Sequence, residues 1–233
     1  MRRREFVKIC AATAAAGGAG PALLARQEMA PRLYQRARLV DERGIPVKAA
    51  AVPAERTLIF HYPYTATPCF LLNLTRATHA ASLHTADRQS YQWPGGVGQA
   101  HSIVAYSAIC AHQLGYPTRD ISFISYRAER GAVNRHGQVI HCCSEHSEYD
   151  PAAGARVLGG PAPQPLAAIL LEHDPATDEL HAVGTLGGEM FNAFFRKYDF
   201  RLAMEHGSAA HRAVGGSATV SELENYCRQQ VKC

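Results

Sequence analysis

Two segments decide the reading: Ile109-Cys110-Ala111-His112-Gln113-Leu114-Gly115-Tyr116-Pro117 and Ile140-His141-Cys142-Cys143-Ser144-Glu145-His146-Ser147-Glu148-Tyr149-Asp150. Each holds a cysteine and a histidine a few residues apart. The first reads C-x-H from Cys110, the second C-x2-H from Cys143, and 33 residues separate the two cysteines. One thiolate and one imidazole from each of two loops make a Cys2His2 donor set. Four such ligands can hold a zinc ion tetrahedrally, or a 2Fe–2S cluster with two cysteines on one iron and two histidines on the other. Zinc sites of this composition usually pair their cysteines first and their histidines afterwards. Here each loop mixes the two types, as a two-iron cluster straddling two loops requires.

Outward from these loops the chain is a succession of short β-type runs. Thr57–Tyr62, Cys69–Leu74, His101–Ile109, Ile121–Arg127 and Gln138–Cys142 are broken by Pro63, Pro68, Trp93-Pro94-Gly95-Gly96, Pro117 and Asn134-Arg135-His136-Gly137. Ala167–Glu172 and Glu179–Val183 follow, separated by a hairpin-like turn over 173–178. This predicts a mostly β, antiparallel domain over 55–186, preceded by a lead-in over 26–54 with little regular structure. Beyond it, a helical extension over 187–233 is expected. Met190, Phe191, Phe194, Phe195 and Tyr198 recur at helical spacing and predict a helix over 188–197 packed on the β-domain. Ser221 and Glu224 form a capping-box pattern that opens a short C-terminal helix.

The flanks of the two loops carry a family resemblance. Ile103-Val104-Ala105-Tyr106-Ser107-Ala108-Ile109-Cys110-Ala111-His112 resembles the strand entering the first cluster loop of Rieske iron–sulfur proteins. Cys143-x-x-His146 resembles their second loop, and Gly159-Gly160-Pro161-Ala162-Pro163 the proline-containing segment that covers the cluster. The resemblance spans roughly 58–186 and implies an antiparallel Rieske-type β-domain with two cluster-binding loops and a 2Fe–2S cofactor. The implied ligands are Cys110 and Cys143 on one iron, His112 and His146 on the other. Cys142 competes with Cys143, but the family spacing selects Cys143, and His141 reads as a strand-end residue. Two departures stand out. Quinol-oxidising members carry one extra cysteine per loop, and those positions here are Tyr116 and Glu145. The stretch after His146 is one residue short of the family pattern. If a glycine is missing there, Ser147 and Tyr149 match the serine and tyrosine that hydrogen-bond cluster sulfurs. Cys69 reads as a buried strand residue, and Cys227 with Cys233 as a possible pair.

Function follows from the cofactor the resemblance implies. Such a cluster moves one electron, offers no open position for substrate, and works at roughly −150 to +300 mV. The implied role is an electron-transfer subunit passing electrons from quinol to a c-type cytochrome within a membrane-associated complex, with no catalytic residue of its own. A related alternative is the small subunit of a periplasmic molybdenum oxidoreductase such as arsenite oxidase, in which an aromatic residue follows the first-loop glycine, as Tyr116 does. A structural zinc module acting as an assembly partner is the alternative of another class. The partners are therefore a quinol-oxidising cytochrome complex or a molybdenum catalytic subunit, and a cytochrome acceptor. A ring-hydroxylating oxygenase would need a second His/His/carboxylate iron site, and none is identifiable.

Residues 1–25 complete the picture. Arg3-Arg4-Glu5-Phe6-Val7-Lys8, the weakly apolar run Ile9–Leu24, and small residues at Ala22 and Ala25 resemble a twin-arginine export signal. That route carries folded, cofactor-loaded chains, so the expected location is the periplasmic side of a bacterial inner membrane, anchored or soluble. The formal charge of +4 resides largely in this segment. From Arg26 onward 20 basic residues face 19 acidic ones, which leaves a nearly neutral body whose charge gives no argument for nucleic-acid binding.

Overall fold

The structure, a computed structural model, describes residues 28–233. The export-signal reading of 1–25 lies outside the described residues. Among the described residues no helix is long and apolar enough to cross a membrane.

The expected mostly β architecture is present. A mixed, largely antiparallel eight-stranded sheet runs in the order Gly216–Thr219, Arg32–Val40, Glu179–Leu186, Ala168–Asp174, Ile103–Ser107, Pro68–Asn73, Leu58–His61 and Ser221–Glu222. A separate four-stranded antiparallel sheet follows the order Arg156–Gly159, Ser147–Asp150, Val139–Cys142 and Ile124–Arg127. A hairpin of Ala81–His84 and Ser90–Trp93 lies in sequence between Pro68–Asn73 and Ile103–Ser107 of the large sheet. Buried apolar and aromatic side chains from both sheets share one core, including Phe70, Leu72, Trp93, Tyr106, Ile140 and Tyr149. Cys110, Ala111 and Cys142 belong to that same core, so the first loop and the strand leading to the second are seated on packed side chains.

The lead-in is more ordered than its sequence suggests. Arg32–Val40 is a nine-residue strand, antiparallel to Glu179–Leu186 and parallel to Gly216–Thr219. Ala37 and Leu39 are buried, while Arg36 and Arg38 point outward to Glu172 and Glu179. This is a period-2 pattern in which arginines occupy the solvent face. The C-terminal helix spans Phe191–His206, about two turns longer than the aromatic pattern predicts. Its aromatic face packs as expected on the β-domain. Phe191, Phe194, Phe195 and Leu202 are buried against Ile109, Leu114 and Tyr116 of the first loop, with Tyr116 edge-on to Phe194 at 4.9 Å between centroids. Ser221 opens no cap. It lies in a two-residue strand beside Ile59, and the helix that follows covers only Leu223–Tyr226.

The end of the chain forms a strap. Gln229–Gln230 pairs in parallel with Ile121–Ser122, the Val231 N–H donates to the Ser122 carbonyl at 2.9 Å, and Arg127 donates to the Val231 carbonyl at 2.6 Å. The strap thereby reaches the back of the second loop.

Candidate metal centre

The strand Ile103–Ser107 runs into the first loop, which closes on itself. The Leu114 N–H donates to the Cys110 carbonyl at 3.0 Å and the Cys110 N–H to the Gly115 carbonyl at 2.8 Å. The second loop is the tip of a hairpin. Val139–Cys142 pairs with Ser147–Asp150 in a register that sets Cys142 opposite Ser147, His141 opposite Glu148 and Ile140 opposite Tyr149. Successive residues of a strand point to opposite faces. Cys142, Ile140, Ser147 and Tyr149 therefore share the face toward the first loop, and His141 shares the other face with Glu148.

That parity separates the two adjacent cysteines. The Cys142 and Cys110 thiols lie beside each other and interact, and both residues are buried. Cys143 turns the other way and forms a disulfide with Cys233 in the C-terminal strap. The expectation that Cys143 is a ligand is thus corrected. Its sulfur is already bonded, and Cys142 is the cysteine that faces Cys110. The suggested pairing of Cys227 with Cys233 is corrected as well, because Cys227 is a free, buried thiol that donates to the Thr118 carbonyl at 2.9 Å. Cys69 is buried in its strand, as expected.

The pocket around Cys110 and Cys142 favours the thiolate of Cys110. The hydrogen bond from Cys142 pulls the Cys110 thiol down to about 6 against the cost of burial, helped by the Tyr149 hydroxyl and by the backbone N–H groups of His112 and Gln113. The Cys142 thiol, the donor of that bond, is pushed up by it and by burial, while the N–H groups of Ser144 and Glu145 act in the opposite direction. Tyr149 Oη lies 3.3 Å from Cys110 Sγ and accepts from the Ala111 N–H at 3.2 Å, which directs its own proton at the sulfur. Burial, and then the charge on Cys110, push the Tyr149 hydroxyl up, so it stays a donor.

Two buried polar atoms at this place have no hydrogen-bond partner: Ser147 Oγ and His112 Nδ1. Orphaned buried polar groups are costly, and here both flank the thiol pair. Their presence fits a bound group with sulfur acceptors and an open metal valence. The His112 side chain is 27% exposed although Nδ1 is buried, so the ring lies at the rim with its other atoms toward solvent. The carboxylate nearest to Nδ1 is Glu145, with Oε2 3.6 Å away. His146 is elsewhere. It is exposed, stacked on His141 with 5.9 Å between ring centroids, and grouped with His141 and Cys233. The structure therefore brings Cys110, His112, Ser147 and Tyr149 together and adds Cys142. It does not bring Cys143 or His146 to them.

The segment expected to cover the site does lie against the second loop. Ala162 is buried in the same core as Cys110 and Cys142. A Cβ at Gly160, where φ is +83°, would collide with the His146 carbonyl and the Ser147 Cα, so only glycine permits this close approach.

No protein-family model matches the chain. Among solved structures, the chain is similar to the soluble domain of the Rieske protein II (soxF) from Sulfolobus acidocaldarius, at 26% identity, covering 65% of this chain and 78% of that one, with a TM-score of 0.44.

Proposed function

We propose that this protein is a one-electron carrier whose two loops hold a Rieske-type 2Fe–2S cluster. The observation that carries the reading is the facing of Cys110 and Cys142 beneath Tyr149, with Ser147 Oγ and His112 Nδ1 left without partners beside them. Cys110 and Cys142 would hold the inner iron and His112 the outer one. When bound, such a cluster accepts and returns a single electron. The chain's own residues do the rest. Burial of both cysteines excludes water from the sulfurs, Tyr149 and the loop amides stabilise negative charge there, and His112 presents its ring at the rim, where a partner can approach.

In this reading the chain passes electrons from a quinol to a c-type cytochrome, on the periplasmic side of the inner membrane, after export by the twin-arginine route. The His112 ring at the rim is the group that would meet the quinol. A zinc ion held by the same two loops is the competing reading, and the composition of the chain separates the two.

The test is the composition of the full chain produced with cluster-assembly machinery. Iron and acid-labile sulfide in equal amounts, about two of each per chain, are the expected result. Zinc without sulfide would overturn it. Tyr149→Phe adds a quantitative check. It removes one hydrogen bond to a sulfur that is more negative in the reduced state, a difference of about 1 kcal/mol. The midpoint potential should fall by roughly 40 mV, and an unchanged potential would detach Tyr149 from the redox centre.

A further inference from the structure

We infer that the fourth ligand of the site is the Glu145 carboxylate and not His146, which makes the donor set Cys110, Cys142, His112 and Glu145. The inference rests on the cluster reading above and specifies it further.

Four observations converge. First, the two loops are built alike around their inner cysteines. The N–H groups two and three residues beyond Cys110, on His112 and Gln113, point at its sulfur. Those two and three residues beyond Cys142, on Ser144 and Glu145, do the same for the second. His112 and Glu145 thus each belong to the short turn whose amides point at the inner sulfur, two residues beyond Cys110 and three beyond Cys142 respectively. Second, Glu145 Oε2 lies 3.6 Å from His112 Nδ1, an atom that is buried and makes no hydrogen bond. Two donors on one tetrahedral metal, each ~2.1 Å from it, are separated by about 3.4 Å. The observed pair is close to that spacing and slightly too long for a hydrogen bond. Third, His146 has its ring against His141 and Cys233, on the side of the hairpin to which Cys143 turns. Its φ of +55° places the backbone in the left-handed region, a conformation of tight turns that suits the residue just after a loop tip. Fourth, counting C-x2 from Cys142 reaches Glu145. Ser147 and Tyr149 then follow without any missing residue, so the apparent shortening of this loop disappears.

The chemistry differs from that of two imidazoles. An anionic oxygen replaces a neutral nitrogen, so the site carries one more negative charge in either oxidation state. This favours the oxidised form. A single imidazole, His112, remains whose distal N–H can respond to the iron.

The experiment counts nitrogen ligands in the full chain carrying its cluster, by pulsed electron paramagnetic resonance on the reduced state. One strongly coupled histidine nitrogen is expected in the wild type. His146→Ala should leave both that count and the iron and sulfide content unchanged. Glu145→His should raise the count from one to two and raise the midpoint potential. Two coupled nitrogens in the wild type, with one lost in His146→Ala, would overturn the assignment of Glu145 and leave the cluster reading intact. A wild-type chain containing neither iron nor labile sulfide would overturn the cluster reading itself, and this inference with it.

Discussion

Cys142→Ser is expected to leave the chain without iron or acid-labile sulfide, whereas Cys143→Ser is expected to retain both. Cys142 is buried at 1% exposure and its thiol lies beside that of Cys110. A serine there offers an alcohol that does not ionise near neutral pH, beside a Cys110 sulfur that has lost its hydrogen-bond donor of matching size. Half of the inner donor pair is removed, and a metal site lacking one of two thiolates has little to hold it. Cys143 contributes its sulfur to the disulfide with Cys233 on the opposite side of the hairpin, so its loss affects the strap and not the donor set. Visible absorption, electron paramagnetic resonance and metal analysis of the two variants, side by side, give the answer. Cys233→Ser serves as the control for losing the bridge alone and should resemble Cys143→Ser. Loss of the cluster in Cys143→Ser with retention in Cys142→Ser would restore Cys143 as the ligand and break the parity argument.

How far the sequence leads can be judged from particular residues. The strands Leu58–His61, Pro68–Asn73, Ile103–Ser107, Val139–Cys142, Ala168–Asp174 and Glu179–Leu186 are all legible as apolar runs between turn residues. Those that escape are polar or short. Arg32–Val40 carries three arginines on its outer face, and Ala81–His84 with Ser90–Trp93 buries only Leu83, Tyr91 and Trp93. Their stability comes from neighbours distant in sequence, which no local pattern displays. At the site, Cys110 and His112 are read from motif spacing, and Ser147 and Tyr149 only from the family resemblance with a glycine taken as missing. The choice between Cys142 and Cys143 is not settled by spacing, because the motif counts residues and ignores faces. A signal was present nonetheless. A tight hairpin around 143–146 sets Cys142 across from Ser147, and the alternation of strand faces then joins Cys142, Ser147 and Tyr149 on one side. The partner of Cys143 could not have been found this way, since Cys233 lies 90 residues downstream and reaches the loop only through the strap along Ile121–Ser122.

Opening the Cys143–Cys233 bridge should destabilise the fold by about 2–4 kcal/mol while leaving the cluster in place. Among the described residues Cys69, Cys110, Cys142 and Cys227 are free, so no disulfide ties the two loops to each other. The bridge ties the second loop to the end of the chain instead, and encloses a long segment. Chain-entropy reasoning makes such a closure effective because the unfolded chain loses the most freedom when distant residues are linked. The native strap is also held by the Val231 and Arg127 hydrogen bonds, and the second loop by the bond from the Cys143 N–H to the Phe123 carbonyl at 2.7 Å. These bonds persist when the sulfurs part, so the loss should appear as lower global stability and a frayed C-terminus, not as a rearranged site. For a chain of this size the melting temperature should fall by roughly 5–15 °C in Cys233→Ser and, equally, in wild-type protein treated with dithiothreitol. The reductant should have no further effect on the variant. The cysteines assigned to the cluster, Cys110 and Cys142, take no part in the bridge, so visible circular dichroism should be unchanged below the transition. Unchanged melting in Cys233→Ser would mean that the bridge contributes nothing to the fold. Bleaching of the cluster by dithiothreitol at the concentration that opens the bridge would mean that the strap, and not the core beneath Tyr149, holds Cys142 against Cys110.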